Sequence, residues 1–115
     1  MQISIVEGLE KLKQSGKEFT TLFTHGTLEF GVYKPHLIDK QEPHEKDEIY
    51  IVVSGKGKFY NNGDIIDFEQ GDFLFVPAGI EHRFVEFSKD CSVWVIFYGV
   101  KGGEVNDNRN SSFKH

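Results

Sequence analysis

The sequence predicts an all-β protein, a sandwich or a barrel, carrying one short helix at its N-terminus. Three observations carry this. Aromatic and β-branched residues fall in short runs separated by glycine, with 11 Phe and 12 Gly but only three Pro in 115 residues. Asn62-Gly63 stands between two such runs, the dipeptide that favours a tight primed hairpin turn. Helical spacing occurs in one place only, near the start of the chain. The length allows one domain and one core, a size that holds without disulfide staples.

In order, the helix comes first. Ser4 can cap it, and Glu7 stands at capping-box spacing. Ile5, Val6, Leu9 and Leu12 then share a face, and Gly16 is the natural stop. Gly8 weakens the helix by roughly 1 kcal/mol relative to Ala. It is expected to lie against the outside of the β-structure. Phe19–Thr24 and Thr27–Lys34 flank His25-Gly26 and read as a hairpin. Pro35–Pro43 is polar and reads as a loop. Glu48–Ser54 is a strong strand, and Gly55-Lys56-Gly57 turns the chain. Lys58–Tyr60, Asp64–Phe68, Asp72–Val76, His82–Phe87 and Ser92–Tyr98 complete the strands. Residues 1–100 therefore form one domain. Residues 101–115 are rich in Gly, Asn, Ser and charge and read as a flexible polar tail, unless Phe113 docks.

Two strands are apolar on both faces. Glu48, Tyr50 and Val52 share one side, and Ile49, Ile51 and Val53 the other. Val93, Val95 and Phe97 alternate with Trp94, Ile96 and Tyr98 in the same way. If Glu48 points inward, the outer aliphatic face needs a cover: the helix, another sheet, or a second subunit in a homodimer.

Charge and cysteine content narrow the functional class. The formal charge is −5 with Lys and Arg scattered, so neither nucleic acid nor an anionic membrane is an expected partner. Cys91 is the single cysteine, which fits a reducing compartment, and the expected location is cytoplasmic. The first residues lack the basic and apolar regions of a signal peptide, and no apolar run is long enough to span a bilayer.

The chemistry concentrates in two stretches. His44 and Glu48 lie four residues apart at the start of a strand, Glu42 precedes His44 by two, and His82 follows Glu48 by 34 residues. Pro77 and Gly79 set a turn that can aim His82. Two imidazoles with one or two carboxylates suit divalent Fe, Mn, Zn, Ni or Cu. Taken singly, each of these residues is more often a surface or hydrogen-bonded group than a ligand. Glu45, Lys46 and Asp47 read as solvated turn charges, with Asp47 a possible tether of the turn. His25, His36 and His115 have no partner spacing and read as surface residues. Tyr50 and Phe84 read as core, Arg83 as surface, and Cys91 as a small buried residue.

Together the two stretches resemble the motifs of a small single-domain cupin. The first reads Glu42-x-His44, three residues, Glu48, six residues, Gly55; the second reads Gly71, five residues, Pro77-x-Gly79, two residues, His82, three residues, Glu86. The 15 residues between Gly55 and Gly71 match the short spacing of small cupins, and the resemblance runs from about Gly31 to Tyr98. It implies a double-stranded β-helix, or jelly-roll barrel, with His44, Glu48 and His82 as metal ligands. The family's first metal histidine falls on Glu42, with Gln41 beside it as an alternative ligand. Its closing Asn is replaced by Glu86, expected in solvent. Metal occupancy should fall as pH drops and the histidines protonate.

The resemblance implies either of two functions. One is a metal-dependent enzyme of dioxygenase or isomerase type acting on a small organic molecule, with Tyr50 and Phe30 as pocket walls and Glu42 as a base if it does not ligate. The other is a non-catalytic binding or sensor module for a small sugar, carboxylate or phenolic ligand. No catalytic residue is evident from the sequence.

Overall fold

The computed structural model describes residues 1–105. Among these, helix α1 (Ile5–Ser15) is followed by strands β1 (Phe19–His25), β2 (Leu28–Tyr33), β3 (Asp47–Ser54), β4 (Lys56–Asn61), β5 (Asp64–Glu69), β6 (Phe73–Val76), β7 (His82–Phe87) and β8 (Ser92–Tyr98). The strands form two antiparallel sheets, ordered β1-β2-β8-β3-β6 and β5-β4-β7, in the expected jelly-roll arrangement.

The helix begins as its first residues dictate. The Ser4 hydroxyl accepts from the Glu7 amide at 3.1 Å while the Glu7 carboxylate accepts from the Ser4 amide at 3.3 Å. Gly16 closes it in the left-handed region at φ 70°. Val6 is not part of the packed face, being 75% exposed; the buried residues of α1 are Gly8 and Leu12. Gly8 has a packing reason that propensity does not show. A Cβ there would stand 3.0 Å from the Trp94 ring, so glycine lets the helix settle on the outer face of the large sheet.

Alternation sorts the large sheet. Glu48, Tyr50 and Val52 point inward and are essentially inaccessible, as are Val93 and Val95 on the paired β8. They meet Phe59, Phe68 and Phe84 from the small sheet in one core. Fully burying each apolar side chain is worth about 1.5–3 kcal/mol. On the outer face α1 covers Trp94, but Phe73 and Phe75 of β6 remain 60% and 40% exposed.

Turns agree with their residues. Asn62 and Gly63 both have positive φ, 51° and 97°, as a primed turn requires. Gly55 alone turns the chain between β3 and β4, so β4 already begins at Lys56. The segment expected to be a flexible tail starts with an anchored piece. The Gly102 amide donates to the Glu45 carbonyl at 2.7 Å, and the Glu104 amide to the Asp47 carboxylate at 2.8 Å. Phe113 and His115 lie outside the described residues.

Candidate metal centre

His82 sits at the first residue of β7, Glu48 near the start of β3, and His44 in the connection just before β3. The fold holds these positions together through backbone contacts. The Gly79 amide donates to the His44 carbonyl at 2.7 Å, and the Ala78 amide donates to the Asp47 carboxylate at 2.9 Å. The Pro77–Gly79 turn is therefore clamped onto the start of β3, which delivers His82 beside Glu48. Asp47 is buried and accepts two backbone amides, so it tethers the turn rather than facing solvent.

Ligand atoms of His44, Glu48 and His82 all lie within 4.8 Å of one another. His82 Nε2 is 3.0 Å and His44 Nε2 3.7 Å from Glu48 Oε1. Donor atoms about 2.1 Å from one ion stand about 3.0–3.4 Å apart; the His82–Glu48 pair has that spacing, and His44 stands wider, so its ring must move inward to share a cation with them. The His44 side chain is 34% exposed while those of Glu48 and His82 are closed off, so the cluster communicates with solvent on the His44 side.

Each ring and carboxylate has a defined orientation. His82 Nδ1 lies 2.9 Å from the Ile80 carbonyl, which can only accept. Nδ1 therefore carries the proton, and Nε2 turns toward Glu48. Burial pulls the His82 imidazole pKa down, but the Glu48 carboxylate and the Ile80 carbonyl outweigh it and the net shift is upward. Both Glu48 oxygens and His82 Nε2 are buried without a hydrogen-bond partner. Two facing acceptors call for a positive centre between them, a proton or a metal ion. The Tyr50 phenol is held protonated far above its ordinary range, first by burial and then by the Glu48 carboxylate.

The structure does not bring Glu42 into the cluster. It is exposed, and the converging atoms are those of the other three residues. Gln41 lies closer: its Oε1 is 3.4 Å from His44 Nε2 and accepts from the Tyr50 hydroxyl at 2.8 Å. Phe30 is not a wall of the site. It pairs with Ile96 on the outer face and packs on Trp94 at 4.9 Å, whereas Phe97, on the inner face, lies 4.8 Å from the His44 ring. His25, His36 and Glu86 are exposed as expected, and Cys91 is buried. Arg83 is exposed and stacks on Tyr60 at 5.0 Å.

Sequence reading missed Asp39. Its side chain is buried beneath the loop before β3, where it accepts from the Tyr33 hydroxyl (2.8 Å), the Phe84 amide (2.7 Å), and the backbone and side-chain amides of Gln41 (both 3.0 Å). A lone acid in a polar, Pro-bounded loop carries no periodicity that would mark it as buried.

Fold and site together define a small jelly-roll barrel with a His-Glu-His cluster in its interior. Residues 29–97 match the cupin domain, and the chain belongs to that family. An uncharacterized protein of Streptomyces coelicolor is 39% identical over 59 residues, 51% of this chain; the match spans just over half, 56%, of the relative's length. A crystal structure of the Neisseria meningitidis protein NMB1881 superposes with a TM-score of 0.65 at 22% identity, over 86% of this chain and 100% of that one. A cupin-2 domain containing protein of Shewanella frigidimarina gives 0.60 at 18% identity, over 84% and 94%. At these identities the two structures establish the fold.

Proposed function

We propose that His44, Glu48 and His82 hold a divalent metal ion, of Fe, Mn, Zn or Ni type, and that the protein is a metal-dependent enzyme of dioxygenase or isomerase type acting on a small organic molecule. One observation carries the metal: the buried carboxylate of Glu48 and Nε2 of His82 face each other without hydrogen-bond donors. A divalent ion satisfies both groups and reaches His44 on the open side. When bound it supplies Lewis-acid or redox chemistry at positions the protein leaves vacant. The chain's own part is to orient the donors through Ile80 and to exclude water with Tyr50, Phe59 and Phe84, which wall the inner side. A neutral Tyr50 phenol remains a donor at any physiological pH.

The second reading, a small-ligand binding or sensor module, is favoured by one feature. Glu42, the expected base, is exposed, and the polar groups of Gln41 and Tyr50 already bond each other. Untagged protein loaded with Fe(II) and offered a catechol, thiol or diketone should consume oxygen or isomerise it under the enzyme reading. A thermal shift with a metabolite but no turnover would establish the binding module instead. We place the protein in the cytoplasm because its one cysteine is a free, buried thiol. We also assign the outer face of β6 and β3 to a homodimer contact, because Phe73 and Phe75 are exposed there beside Ile49 and Ile51.

A further inference from the structure

We propose that Gln41 is the fourth protein donor of the metal centre, and that Asp39 is the residue that turns its carbonyl oxygen toward the ion. The inference rests on His44, Glu48 and His82 holding a metal, and it replaces Glu42 in the expected ligand set.

Donors and acceptors fix the orientation of the Gln41 amide. Asp39 is buried at 4% exposure, and its two carboxylate oxygens accept four hydrogen bonds. Because the Gln41 side chain meets Asp39 Oδ2 at 3.0 Å, the atom there must be the amide nitrogen. Its oxygen is thereby fixed on the other side, where Tyr50 donates to it at 2.8 Å. An amide oxygen has two lone pairs. One takes the Tyr50 proton, and the second faces His44 Nε2, 3.4 Å away, at the long end of a hydrogen bond that a metal-ligating His44 Nε2 would no longer donate. That spacing is what two donors to one ion would show.

The same contacts explain why an amide suits this position. A glutamate at 41 would set two carboxylates 3.0 Å apart in a buried pocket, where one of them would have to bind a proton. Glutamine supplies a metal-facing oxygen at one end and a donor for Asp39 at the other. Tyr33, Phe84 and the Gln41 backbone hold Asp39 itself, so the clamp joins β2, β7 and the loop before β3. Asp39 is a positioning residue; it acts on the ion through Gln41.

The test is a Co(II) titration read by visible absorption and by competition with a chelator, on wild-type protein, four single variants and one double variant. His82→Ala should lose binding. Gln41→Ala should weaken it by about tenfold or more and alter the d–d bands, whereas Glu42→Ala should match wild type. Asp39→Asn should weaken Co(II) by about tenfold, and that effect should vanish when Gln41→Ala is already present. If Gln41→Ala binds like wild type while His82→Ala does not, the Gln41 assignment is overturned and the three-residue centre stands. If wild type binds no Co(II), both fall. An Asp39→Asn effect that persists in the Gln41→Ala background would assign Asp39 a structural role only. Should Asp39→Asn fail to fold, the Gln41 side-chain amide protons of the wild-type protein decide its role. They should exchange slowly by NMR, and free exchange would refute the clamp.

Discussion

At His82 the ring is aimed from both ends. The Ile80 carbonyl takes the Nδ1 proton, and Glu48 receives Nε2. His82→Ala and Glu48→Ala should each abolish metal content, measured by elemental analysis of untagged protein; full occupancy in either would be contrary to the assignment. That His44, Glu48 and His82 converge was legible from their spacing along the chain. The choice between Glu42 and Gln41 was not legible. Which of two adjacent side chains faces inward depends on the hydrogen bonds of Asp39, 3.0 Å from Gln41 and part of neither motif. Cys91 gives a second prediction at this scale. Burial raises its thiol pKa to about 11 from the ordinary 9. The folded state then keeps a proton that the unfolded chain releases. The resulting stability is complete below about pH 9 and is lost as pH rises toward 11. The loss is of the order of 2 kcal/mol. Urea unfolding of wild type against Cys91→Ala should show the two alkaline slopes diverging over that range; parallel slopes would contradict the shift.

At the scale of elements, the β6–β7 turn and the start of β3 work as one unit. Asp47 holds the Ala78 amide on one oxygen and the Glu104 amide on the other. Asp47→Ala should leave both without an acceptor, costing about 1–3 kcal/mol for each that stays buried. Hydrogen exchange should quicken at Ala78 and Glu104 while β8 amides stay protected; unchanged exchange at both sites would dismiss the clamp. The sequence reads Asp47 first as a solvated turn charge, with a tether of the turn as the alternative, and the structure has the tether. The sequence could not show residues 101–104 returning to the same place, since a Gly-rich polar stretch reads as a free end. Gly57 supplies a contrasting case. A Cβ there would collide with the Glu86 carbonyl across the β4–β7 ladder, beside the register shift at Lys58 and Phe59. Gly57→Ala should cost about 3 kcal/mol, the upper end for overpacking, because backbone cannot swing aside. A melting temperature equal to wild type would remove that reading.

For the whole molecule, the two-faced apolar strands already implied a cover, and the structure shows how far the helix supplies it. α1 reaches Trp94 and Leu22 through Gly8 but leaves Phe73 and Phe75 open at the other side of the sheet. How far a helix extends across a sheet is a matter of tertiary packing, which strand alternation does not encode. A homodimer through this face should appear in light scattering as twice the 13.2 kDa chain mass at micromolar concentration. Phe73→Asp with Phe75→Asp should then yield a monomer; a monomeric wild type would remove the interface.

On the proposed function, one cation is shared by side chains that the two motifs bring together. Anomalous scattering from a crystal of untagged protein, soaked in Mn(II) and collected on either side of the metal edge, locates that cation. A single strong peak is expected about 2.1–2.3 Å from His44 Nε2, His82 Nε2 and a Glu48 oxygen. A peak elsewhere on the molecule, or none at saturating metal, would contradict the shared site.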